Sequence, residues 1–264
     1  MNIFLHELRA NLKSLAIWSV IVALLIAIAV SKFAGFAGDP SMLAVLDSIP
    51  PAMLDALNIR VFNLSTLSGL YGVMFLYFSL IGAIAGALWG TDIIAKEERD
   101  KTAEFALVLP VSRSRVVAAK ALAALVNCIA LVLITWAVSL VAVRSYNPDR
   151  AFYDYLALEM RAMLAIEVIF LAIGLLLACT MRRYKRATAA AVAVVLVTYF
   201  MSIAVGLQEK LDFLKYLTPF KYFDAGELLR SGQMNSTYLL LAAVIVSVSL
   251  AGAFWTYNRR DVYV

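Results

Sequence analysis

The sequence predicts an all-α integral membrane protein. It would have six transmembrane helices, an N-terminal interfacial amphipathic helix, and a short cytoplasmic helix between spans two and three. Three observations carry this reading. The 264 residues are 63% hydrophobic and only 16% charged, with a mean hydropathy of +0.86, whereas soluble domains carry about a quarter charged residues. Uncharged runs recur at or near the ~20 residues that a helix needs to cross a bilayer. The basic residues sit beside those runs rather than in a patch of their own, so the net charge of +5 reflects topology and not nucleic-acid binding.

Residues 2–14 open the chain with Phe4, Leu8, Leu12 and Leu15 at helical spacing and His6, Arg9 and Lys13 on another face. Such a segment lies in the headgroup layer. The first span, about 15–37, is too long for a signal-peptide core and no small-residue cleavage site follows it. Residues 37–66 carry Asp39-Pro40 and Pro50-Pro51 among scattered apolar positions, which fits short helices on the outer face. They read equally as outer gates or as surface connectors, and so do residues 209–235.

The second span, about 67–90, contains Gly82, Gly86 and Gly90 at four-residue spacing. This doubled GxxxG lets another backbone approach closely, within the chain or in a second copy. The third span covers about 116–143, with Lys120 one turn inside and able to snorkel. The fourth is set at 161–181: only 14 uncharged residues precede Arg182, so Glu167 is drawn into the span. Glu167 is read as a partner for Arg161 near the outer interface, or as a cavity-lining group. Spans five and six follow at about 187–208 and 237–257. The chain is thus one membrane domain over residues 1–264.

Six spans place both termini on one side. That side, with residues 91–115, Lys120 and 182–186, holds 14 Lys+Arg and 7 Asp+Glu, leaving 9 and 11 for the other. The positive-inside rule makes it the cytoplasm. Trp18, Trp89, Trp136 and Trp255 near the span ends are expected as interfacial anchors. Cys128 and Cys179 fall inside apolar runs and read as packing residues.

The most charged segment, 92–115, lies between two uncharged stretches at 61–91 and 121–143. Thr102 can cap a short helix, Glu104 suits its positive end, Pro110 stops it, and Ser112 can cap the next one. The result is a rigid turn or two of helix held beneath the membrane, offering Glu104, Phe105 and Leu107 outward. No P-loop, G-x-S-x-G, H-E-x-x-H or C-x-x-C is present, and the one histidine leaves little acid–base or metal chemistry. The residues alone leave open a conduit powered from elsewhere, a membrane scaffold or immunity-type protein, and an ion-coupled carrier.

The run Ala95-Lys96-Glu97-Glu98-Arg99-Asp100-Lys101-Thr102-Ala103-Glu104-Phe105, then Leu109-Pro110-Val111-Ser112-Arg113 and Lys120, resembles the cytoplasmic signature of type-2 ATP-binding-cassette permeases. The opening Asn2–Trp18 and the later stretch Tyr216–Asp224 are similar to the same family. Lys101 departs from it, standing where many members carry glycine. The resemblance implies an exporter subunit with no cofactor of its own, ATP and Mg²⁺ being held by a separate cytoplasmic ATPase. It implies docking of that ATPase through Glu97, Glu98, Thr102, Glu104, Phe105, Leu107, Pro110 and Arg113. It also implies pairing with a second permease subunit, identical or homologous, in the plasma membrane among its lipids. Cargo is not legible.

Overall fold

The computed structural model describes residues 3–36, 62, 64–99, 112–181 and 183–259, without the side chains at 34–36, 95–99 and 209. All regular structure among them is helical. Six long helices can cross a membrane: α1 (Ile3–Phe36), α2 (Leu67–Arg99), α3 (Arg113–Val143), α4 (Arg150–Thr180), α5 (Tyr184–Leu207) and the last, Ser236–Arg259. Between the fifth and the last lie a 3₁₀ stretch, Glu209–Leu217, and two short helices, α6 (Pro219–Tyr222) and α7 (Ala225–Ser231). The last span is therefore α8.

The core belongs to α2 and α4. In their most apolar windows 61% and 67% of residues are buried, against 22%, 22% and 17% for α1, α5 and α8. Two central helices are thus enclosed by protein, while three turn much of their surface toward lipid. Exposed Ile17, Leu24, Val197, Phe200, Leu240 and Val248 belong to those outer three.

Local chemistry sets the ends. Thr66 Oγ1 accepts from the Gly69 amide at 3.1 Å and caps α2, and Asp149 Oδ1 accepts from the Phe152 amide at 2.9 Å and caps α4. The α4 cap moves the fourth span. The helix begins at Arg150, eleven residues ahead of the predicted 161, because Arg150, Asp154 and Arg161 share one exposed face and leave the other to the core. Arg150, Asp154 and Arg161 are exposed, while Phe152, Tyr155, Leu156 and Glu159 turn inward. Ser112 stands at the start of α3, yet its side chain caps nothing; its carbonyl accepts from the Arg115 and Val116 amides at 3.0 and 3.2 Å.

Two expectations about the periphery change. The amphipathic start is not a separate helix but the first third of a continuous α1. Phe4, Leu8 and Leu15 pack on the core and Leu12 is exposed, but the deepest positions of this part are the polar Glu7 and Asn11. At the opposite end, residues 218–228 are not surface connectors. Phe220 enters the bundle and packs 5.3 Å from both Phe170 and Tyr199, measured between ring centroids. Tyr155 Oη donates to the Ala225 carbonyl at 3.1 Å, and Thr218 Oγ1 donates to that of Thr198 at 2.8 Å. Asp224 caps α7 through the Gly226 and Glu227 amides, and Gly232 ends it at φ +65°, which only glycine adopts cheaply. Of residues 37–66, only 62 and 64–66 belong to the described part.

Candidate functional site

Two joints hold the central helices, and both concern the predicted site residues. The first lies at the root of the 92–115 segment. Ile93 is near the end of α2 and Lys120 is two turns into α3, so the two helices carry the segment as the legs of a hairpin. Lys120 was expected to snorkel. It is instead fully buried, donating to Glu7 Oε1 at 3.1 Å and to the Ile93 carbonyl at 2.6 Å. One ammonium thereby links the N-terminal part of α1 to both legs.

Two turns along α1, Trp89 Nε1 donates to Ser14 Oγ at 3.0 Å. Trp89 is 3% exposed, so it is a buried hydrogen-bond donor and not an interfacial anchor. Trp255 is the tryptophan that stays outside, with the Arg259 guanidinium 4.5 Å from its ring centroid. The start of α3 is also tied to the end of α8, where Ser114 Oγ meets the Asn258 side-chain amide at 2.9–3.1 Å. Thus α1, α2, α3 and α8 meet at the end of the bundle where the described chain starts and finishes.

Of the residues expected to receive an ATPase, Arg113 is described: it opens α3 and is half-buried. Glu97 and Glu98 lie in the last helical turn of α2, where the backbone alone is described. Thr102, Glu104, Phe105, Leu107 and Pro110 lie outside the described residues.

The second joint is a seam between α2 and α4. A Cβ on Gly86 would stand 2.5 Å from the Glu167 carbonyl oxygen, and one on Gly90 would stand 2.3 Å from that of Leu171. Gly174 answers from the other side, where a Cβ would come within 2.5 Å of the Ala87 carbonyl. These are backbone atoms and cannot swing away. These three glycines let two helix backbones touch, within one chain.

Gly82 extends the seam differently. A Cβ there would meet the Glu167 carboxyl, 2.8 Å from Oε1. Glu167 is fully buried in the seam and neither of its oxygens has a hydrogen-bond partner; the Cys128 thiol of α3 is the polar group beside it. Glu167 and Arg161 are not brought together. Arg161 is exposed, and its Nε donates to the Ala157 carbonyl at 3.1 Å. Six positions apart on one helix, the two side chains leave it on different faces.

Glu159, two residues ahead of the expected 161–181 span, is also fully buried, and neither carboxyl oxygen has a hydrogen-bond partner among the described residues. It lies near Tyr71 of α2 and Tyr155 of its own helix, and Tyr71 lies beside Ser139 of α3. The signal was in the sequence: Phe152, Tyr155, Leu156, Glu159 and Met163 recur at helical spacing behind an Asp cap. No group of three or more His, Cys, Asp or Glu able to hold a metal occurs among the described residues.

An enclosed two-helix core inside a bundle of six helices able to cross a membrane fits a polytopic membrane domain. The family model described as ABC-2 family transporter protein matches residues 1–262, and the chain belongs to that family. It is accordingly the membrane component, a permease, of an ABC transporter, integral to the plasma membrane. No curated protein matches it.

Proposed function

We propose that this chain is the permease subunit of an ATP-driven exporter. It pairs with a second permease, identical or homologous, and is moved by a cytoplasmic ATPase that docks on residues 92–115. Both termini and that segment face the cytoplasm, and ATP and Mg²⁺ stay on the ATPase. The observation that carries the reading is the Lys120 joint: a load applied to the hairpin reaches α1, α2 and α3 together, because Glu7, Ile93 and Lys120 share one buried contact. Phe105 supplies the apolar anchor and Glu104 a charged contact for a basic group on the ATPase.

The test is co-purification of the ATPase and its hydrolysis rate in the complex. Glu104→Lys and Phe105→Ala are each expected to lower both, while the permease still elutes as a single species. Wild-type values in the double variant would remove the segment from the mechanism. Topology is read separately with Cys128 and Cys179 replaced. Ser231→Cys should react with an impermeant maleimide on intact cells and Ser112→Cys should not; the reverse pattern would invert the orientation.

A further inference from the structure

The coupling reading leaves the two buried carboxyls unused. Several buried polar side-chain atoms of α2, α3 and α4 have no hydrogen-bond partner among the described residues. Glu159 lies near Tyr71, which is beside Ser139, and Glu167 lies further along α4 beside Cys128. Both carboxyls are closed in, since each of these five residues is at most 1% exposed. Neither lipid nor a second copy of the chain can reach the carboxyls while α2 and α4 stay packed.

A carboxylate in such a place, with no cation paired to it among the described residues and only a thiol or a phenol beside it, carries a large desolvation cost. The groups that face Glu167 are Cys128 from α3 and the bare backbone of α2 at Gly82. Those near Glu159 are Tyr71 from α2 and Tyr155 from its own helix, and Tyr155 already donates to Ala225. Among the described residues, no lysine, arginine or histidine forms an ion pair with either carboxyl. The ligand that the space admits is the smallest one.

We propose that Glu167 is a proton-binding site built into the α2–α4 seam, with Glu159 a second one a little over two turns along the same helix. Each carboxyl holds its proton while the seam is shut. When α2 and α4 part, water enters, the O–H bond breaks heterolytically, and the proton passes to that water, leaving a hydrated carboxylate. Closing the seam again requires the proton back. Proton binding and helix packing are then one equilibrium, and the permease exchanges protons whenever its core opens. The glycines are part of the site, because the missing Cβ at 82 is what makes room for the Glu167 carboxyl.

The experiment is infrared spectroscopy of the purified chain in lipid nanodiscs, in H₂O and D₂O, from about pH 5 to about pH 10. It needs neither ATPase nor cargo, so its outcome is independent of the coupling proposal. A protonated-carboxyl C=O band is expected at low pH, shifted in D₂O and lost as pH rises. Glu167→Gln should reduce its area by about half and Glu159→Gln should remove the other half, since exposed carboxyls are ionised well before neutrality. Gly82→Ala should move the Glu167 component in frequency and leave that of Glu159 in place, a result that stands even if one Gln variant does not fold. No such band at low pH would mean ionised carboxyls and overturns the proposal. A band that does not change across the range would mean two fixed neutral packing groups, and overturns it equally.

Discussion

The two joints of the core hold by opposite physics. In the α2–α4 seam the contact surfaces are backbone, the side chains have been deleted to glycine, and contact comes from close approach. At the root of the hairpin two long charged side chains meet, a carboxylate and a backbone carbonyl share one ammonium, and contact comes from hydrogen bonds. A seam of the first kind fails when anything is added. A joint of the second kind fails when one partner is taken away, and it tolerates the loss of both. The substitutions that follow test that difference, from the largest effect to the smallest.

Gly86→Leu should be the most damaging. Its Cβ alone would stand 2.5 Å from the Glu167 carbonyl, so the four added carbons must force α2 off α4. Even moderate overpacking costs about 1–3 kcal/mol, and no single folded species is expected by size-exclusion fluorescence. A normal elution profile would mean that the seam is looser than its geometry. Lys120→Met comes next. It leaves Glu7 buried without its cation, at a cost of roughly 3–5 kcal/mol, read as a lowered thermal midpoint. Adding Glu7→Leu should restore most of that midpoint. Failure of the double variant to recover would mean that the joint is held by shape and not by charge.

Trp89→Phe keeps the ring volume near α1 but loses the hydrogen bond to Ser14, so about 0.5–1.5 kcal/mol should be lost. Ser14→Ala should lose no more, and the pair together no more than either alone. Gly252→Ala closes the series. Its Cβ would meet the Leu176 Cδ1 methyl at 2.9 Å, but that methyl ends a flexible side chain and can turn away. The midpoint should move by less than about 0.5 kcal/mol equivalent. A large loss there would show that a glycine contact with a side chain is as unforgiving as one with backbone.

The same contrast explains what could be read from sequence. Length and apolarity decide that a helix crosses a bilayer, so six spans and an all-helical fold were legible. The spacing of Gly82, Gly86 and Gly90 was legible as a packing device, but spacing does not name a partner; the partner is the α4 backbone about Glu167 and Leu171. Lys120 was misjudged because a lone lysine near a span end has water as its nearest visible counterpart, while Glu7 lies 113 positions away. Trp89 failed for a similar reason, since Ser14 is 75 positions off. Glu159 was missed because Asp154 and Arg161 made its neighbourhood look like a loop. In fact those charges occupy the exposed face of a helix whose other face is core. Apolar residues do not settle the inside of a membrane protein, because lipid accepts them too. Glu7, Asn11, Glu159 and Glu167 mark the interior here more clearly than leucine does.

The unbroken first helix has a mechanical consequence. At 1.5 Å per residue its 34 residues make a rod of about 51 Å, against a hydrocarbon layer of about 30 Å, so some 20 Å of it stands beyond that layer. A continuous helix without proline has no built-in elbow at which to absorb a rotation. Tilting it by roughly 10° about Glu7 would carry the Phe36 end sideways by about 8 Å. Small angular changes at the hairpin root are thus magnified into a wide sweep on the far side of the membrane, with α1 acting as the pointer of a balance.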